Sequence, residues 1–191
     1  MGWKIWTLVA LAGIGGGIGS ALLATRGGLI NVVTAGAWST NATNGAISAD
    51  PWTRATVARG GLLALSAEQA VYFDRSTDSE GRVLDERCTY RLSGGPQPAA
   101  WWSVTLYSKD QFLARNTDGA ASIDATRAGT GTWTATLGPD RPAEGHWIST
   151  RASQQPLLML RLYRPTSVAP DQLAKVVGPE IMRLSCPGEK A

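Results

Sequence analysis

One histidine, His146, and two cysteines, Cys88 and Cys186, are the whole stock of imidazole and thiol in the 191 residues. A serine or cysteine nucleophile needs a base beside it, so any catalytic triad would have to be built on His146 alone. The Gly-x-Ser-x-Gly elbow of hydrolases is missing, and Ser103 lies in a strand-like run instead. No catalytic residue is therefore assigned. With neither a Cys-x-x-Cys pair nor a histidine cluster, no metal centre is expected. A phosphate-binding Walker loop is also missing, and the glycines between Gly13 and Gly19 sit in an apolar run rather than after a strand, so no cofactor is expected. Paired acids such as Asp85 and Glu86 read as a solvated turn.

Charge excludes a further class. Of 18 basic residues, Lys4 and Arg26 fall in the first 26 positions, which leaves 16 bases against 15 acids in the rest. A nearly neutral body without a Lys/Arg block argues against a nucleic-acid partner, whatever the overall pI of about 9.1 suggests.

What the chain does possess is Ile5 to Ala24, twenty residues without a charge, bracketed by Lys4 and Arg26. As a helix this run reaches roughly 30 Å, the thickness of a bilayer's hydrocarbon core. Residues 1–26 are read as an N-terminal transmembrane anchor, with Trp3 and Trp6 suited to the interface. Gly13, Gly17 and Ala21 form one small-residue row and Gly15 with Gly19 another. Such rows let a second membrane helix approach closely. A cleaved signal peptide is the competing reading, but cutting after Ala24 would put Leu22 at the third-last position, where a small residue is wanted. The orientation taken is amino terminus inside, domain outside.

Residues 27–49 are rich in Gly, Ala, Ser, Thr and Asn and read as a connector near the membrane, with Trp38 on the domain or at the interface. Residues 50–191 read as one domain. Asp50 and Pro51 are a helix start running to Arg59, Gly60-Gly61 is its stop, and Ser66 with Gln69 at capping-box spacing predicts a second, very short helix. The period then changes to two. Val71–Arg75, Cys88–Leu92, Trp101–Tyr107, Thr132–Leu137 and Leu157–Arg164 alternate as half-buried strands, with a turn at Asp78–Gly81. Trp102, Val104 and Leu106 face one way and Trp101, Ser103, Thr105 and Tyr107 the other. Short alternating strands between Gly/Pro/Asp turns predict an antiparallel β-sandwich with one or two short helices. The tail from Asp171 to Ser185 adds a short helix and a closing strand that brings Cys186 near Cys88. In an oxidising compartment the two would pair across a loop of about 98 residues; buried thiols are the alternative.

Asp50-Pro51-Trp52-Thr53-Arg54-Ala55, Glu68-Gln69-Ala70-Val71-Tyr72-Phe73 and Asp78-Ser79-Glu80-Gly81-Arg82-Val83-Leu84 occur in one order with Trp101–Tyr107, His146-Trp147-Ile148 and Leu160–Pro165. Together they resemble the domain of unknown function 1214 family over about residues 36 to 186. The resemblance implies a jelly-roll-like β-sandwich, often exported or membrane-anchored in bacteria, and implies no reaction. Trp52, Trp101 and His146-Trp147-Ile148-Ser149 stand where the family usually has Tyr, Phe and Asn-Trp-Leu-Pro.

Arg161 interrupts an apolar alternation, and a buried guanidinium needs a carboxylate, a carbonyl or a ligand. An ion pair with Asp50 or Glu68 is the structural expectation, and Arg54 is expected to pair with Asp50 on its own helix. The ligand-binding alternative is a cleft near Arg54, Trp101, Tyr107, His146, Arg161 and Tyr163. The functional expectation is a single-span protein of the bacterial inner membrane with a periplasmic domain. It would act by binding or assembly, with membrane lipid and another membrane protein as partners. An exported enzyme or small-molecule carrier is the alternative.

Overall fold

A computed structural model of the chain describes residues 2–27, 32–59 and 65–188. The first element, α1 (Gly2–Gly27), is a 26-residue helix. Its apolar window Gly2–Leu23 has a mean hydropathy of 1.7 and none of it is buried in the fold. Beyond it the chain is mainly β, a two-sheet sandwich with few and short helices.

The larger sheet orders its strands β1 (Val32–Ala35), β2 (Trp38–Asn41), β3 (Ala70–Arg75), β9 (Leu157–Pro165), β5 (Ala99–Tyr107) and β6 (Ser122–Asp124). The smaller orders β10 (Glu180–Ser185), β4 (Thr89–Gly94), β7 (Trp133–Gly138) and β8 (His146–Ser149). All pairings are antiparallel except β7 with β8, which run parallel. Alternation explains which face each strand buries. Val71 and Phe73, Leu158, Leu160 and Leu162, and Trp102, Val104 and Leu106 point inward from the larger sheet. Tyr90, Leu92, Ala135, Leu137, Ile148 and Ile181 meet them from the smaller one. The Trp102 and Trp133 rings stack between the layers at 5.1 Å and 20°. Each fully buried Leu or Phe contributes about 1.5–3 kcal/mol of transfer free energy, so this shared interior carries the fold.

Helix α2 (Pro51–Arg59) starts as its sequence demands. Asp50 Oδ1 accepts the backbone N–H groups of Trp52 and Thr53 at 2.9 and 3.0 Å, and Oδ2 accepts the Thr53 hydroxyl at 2.6 Å. The Thr53 bonds, side chain first, hold the Asp50 carboxyl below its ordinary range. The expected stop at Gly60-Gly61 lies outside the described residues. The short helix expected at Ser66–Gln69 is a single turn, in which Gln69 and Ala70 both donate to Ser66 O, before the chain is drawn into β3. Two further single turns, α3 (Ala125–Ala128) and α4 (Pro170–Leu173), flank the sheets.

The stretch read as a connector, 27–49, contains the β1–β2 hairpin, so the sheet begins before residue 50. Gly36 takes φ +62 in the tight turn between the two strands, a conformation glycine adopts without strain. Trp38 is 2% exposed and donates Nε1–H to the carbonyl of Pro179 at 3.0 Å, 141 positions away. Arg75 lies over the same ring and donates to the same carbonyl at 3.3 Å.

The closing strand is held twice. Cys88 and Cys186 form a disulfide. Asp78, 1% exposed, accepts backbone N–H groups from Glu80 and Arg82 at 3.0 Å each and the Arg82 guanidinium at 2.8 Å, while Arg183 of β10 stands 3.2 Å away. Burial pushes the Asp78 carboxyl up, but the bonds from Arg82 and Glu80 outweigh it and hold the group below the usual range.

Candidate functional site

The outward face of the larger sheet gathers the polar and aromatic residues that alternation leaves outside the core. Register sets Trp101 opposite Tyr163, Ser103 opposite Arg161, and Arg161 opposite Tyr72. Trp101 and Tyr163 meet at 5.3 Å with rings tilted by 58°, and the Trp101 indole donates to Thr126 Oγ1 at 3.1 Å. The Arg161 guanidinium donates to the Tyr107 hydroxyl and lies 5.4 Å from that ring and 6.0 Å from the Tyr72 ring. Four of the six residues named from the sequence, Trp101, Tyr107, Arg161 and Tyr163, therefore share this face.

The other two do not. Arg54 on α2 donates to the carbonyls of Ala49 and Ile47 at 2.9 and 2.5 Å, where a pairing with Asp50 was expected. Asp50 is occupied as the helix cap, which leaves the guanidinium to close the preceding loop. His146 is exposed on β8, at the edge of the smaller sheet, beside a cleft of about 180 Å³.

Arg161 is likewise not paired with Asp50 or Glu68. The acid that feels it is Asp74, two positions from Tyr72 on the outward face of β3. Burial raises the Asp74 carboxyl to about 6, against the lowering influence of Arg161. Its Oδ1 is buried and has no hydrogen-bond partner among the described residues. Tyr72 and Asp74 were legible by the same rule that exposed Arg161. With Val71 and Phe73 directed inward, an acid at 74 has to stand on the opposite face.

Chemically, this face offers one guanidinium held between two phenol rings, one poorly solvated carboxyl and a tryptophan edge. Among the described residues of this face no nucleophile is paired to a base. No cluster of three or more His, Cys, Asp or Glu side chains able to hold a metal occurs among the described residues. The small residues of α1 face open space: a Cβ placed on Gly13, Gly15, Gly17 or Gly19 would meet nothing within 4 Å.

No curated protein matches the chain. Among solved structures, the VPA0106 protein of Vibrio parahaemolyticus is similar, with a TM-score of 0.56 and 21% identity over 72% of this chain and 36% of that one. An uncharacterised protein of Burkholderia cenocepacia aligns with a TM-score of 0.44 and 12% identity over 60% of this chain and 29% of its own. The chain thus spans about a third of the length of these structures, and the first of them shares its fold. Residues 69–167, which hold β3 through β9, match the model of a family described as protein of unknown function, and the chain belongs to that family, DUF1214.

Proposed function

We propose that this protein is a membrane-anchored binding or assembly protein of the bacterial inner membrane. In this reading α1 spans the bilayer with its amino terminus in the cytoplasm. The sandwich stands in the periplasm as an accessory subunit of a larger respiratory, transport or photosynthetic complex. The observation that carries the reading is α1 itself, whose 22-residue window Gly2–Leu23 has a mean hydropathy of 1.7 and span length, with no part buried in the sandwich. Water is a poor solvent for such a surface, and lipid a good one. The Cys88–Cys186 disulfide suits an oxidising compartment. The rows Gly13/Gly17/Ala21 and Gly15/Gly19, whose glycines are open to close approach, are where a partner helix would lie.

Alkaline washing of membranes tests the anchor. The full chain is expected to stay in the pellet and to need detergent for release. Recovery in the wash would overturn the reading. Replacing Gly13 and Gly17 together by leucine is expected to abolish co-migration with a membrane partner in mild detergent while leaving the protein in the pellet. Co-migration that survives the double replacement would remove the helix from the interface.

A second reading, an exported carrier or enzyme working at the Arg161 face, has the unsatisfied Asp74 oxygen beside Arg161 in its favour. It requires that Arg161→Leu abolish ligand-induced stabilisation of a sandwich that still folds.

A further inference from the structure

The cleft beside His146 is a site of a different kind from the outward face of the larger sheet. It measures about 180 Å³ and lies between β6 and the loop leading into β8, with Asp118, Arg127, Arg141, Gly145, His146 and Trp147 among its walls. We propose that it binds a small oxyanion, a carboxylate or a phosphate, through Arg141.

The charges around the cleft are unequally committed. Asp118 is spent: its Oδ2 accepts the Ser149 hydroxyl at 2.5 Å and its Oδ1 faces the Arg151 guanidinium at 3.4 Å. Arg127 is half spent, donating to the Ser122 carbonyl at 3.1 Å and standing 3.5 Å from Asp124. Arg141 has no acid within ion-pairing distance among the described residues. Its guanidinium instead lies over the Trp147 ring at 5.9 Å.

That ring is fixed in turn, because its indole N–H is tied to the Gly138 carbonyl at 2.9 Å. A guanidinium laid on an anchored aromatic face keeps its charge and its planar fork of N–H groups, and the fork fits two oxygens of one carboxylate or phosphate. The Arg127 guanidinium and the His146 imidazole flank the same space and add donors or charge of the right sign. Volume limits the ligand, since about 180 Å³ is below the roughly 300–1,000 Å³ of sites for drug-sized molecules. The occupant is therefore a small organic acid or a phosphate group, not a large cofactor.

Calorimetric titration and thermal melting of the full chain in mild detergent, at matched ionic strength, test the proposal with acetate, succinate and inorganic phosphate as probes. Saturable binding in the millimolar range by at least one probe is expected, with a matching rise in melting temperature. Response to acetate or succinate alone assigns a carboxylate ligand, and response to phosphate alone assigns a phosphate group.

Arg141→Ala is expected to weaken the binding at least about tenfold while leaving the ligand-free melting temperature in place, because Arg141 is exposed. Arg141→Lys, which keeps the charge without the fork, is expected to fall between the two and serves as the probe should the alanine variant fold poorly. Failure of all three probes to saturate, or undiminished binding by both variants, would overturn the proposal.

Discussion

Replacing Asp74 by asparagine is expected to stabilise the sandwich at neutral pH, the opposite of what removing a charge usually does to a well-paired acid. The carboxyl stands at about 6 in the folded protein against an ordinary value of 3.8, because burial outweighs the help from Arg161. The native state therefore holds the Asp74 proton more tightly than the unfolded chain does. Stability falls as pH rises through that interval, and the deficit persists above it. A gap of about 2 pH units corresponds to a ceiling of about 3 kcal/mol, since each unit is worth about 1.4 kcal/mol. For a body of this size that is roughly 6–12 °C in melting temperature. Asparagine keeps the shape and has no charge to desolvate. Thermal melts of both proteins across about pH 4 to pH 8 should nearly converge at the acid end, diverge as the pH rises to about 6, and keep a constant separation above it. Parallel curves, or a variant less stable at neutral pH, would mean that Asp74 is charged and well paired. Arg161→Leu supplies the converse: without the guanidinium the Asp74 transition is expected to move to still higher pH.

Other consequences concern how the ends of the chain are held. Asp78→Ala removes the buried carboxylate that faces both Arg82 and Arg183 and is expected to cost about 3–5 kcal/mol, measured by chemical denaturation; a loss below about 1 kcal/mol would show that the turn does not depend on it. Replacing Cys88 and Cys186 by serine opens a loop of 98 residues and is expected to lower stability by up to about 4–5 kcal/mol, with no change if the unfolded chain is not constrained by the bond. Gly178→Ala would place a Cβ 2.5 Å from the buried Trp38 ring and is expected to cost about 1–3 kcal/mol, visible as a lower melting temperature and a redshifted tryptophan emission.

Period-two alternation located the strands that face the core, because a half-buried strand writes its burial into neighbouring residues. Trp102-Val104-Leu106, Leu158-Leu160-Leu162 and Trp133-Ala135-Leu137 are each inward in the fold. The Asp50–Pro51 helix start is equally local, since cap and capped groups lie within three residues. The β1–β2 hairpin escaped notice for the opposite reason. Ser39, Thr40 and Asn41 carry a weak strand signal, and what secures the hairpin is Trp38 packed beside Gly178 and bonded to Pro179 at the other end of the chain. The parallel pairing of β8 with β7 has no local signature either, because a four-residue strand says nothing of its neighbour's direction. At the site, the strand face of Arg161 was readable but its partners were not. Asp50 was already committed to α2, and Asp74 reaches the arginine only through the register of β3 on β9. The Arg141–Trp147 contact joins two residues six apart through a loop whose shape no motif announces.

Everything proposed about location rests on α1 staying attached and in lipid. Intact-mass measurement of the protein extracted from membranes with mild detergent tests this directly. A mass that includes Lys4 through Arg26 is expected. A mature chain that starts after Arg26, recovered without detergent, would contradict the anchor and leave only the sandwich and its two sites.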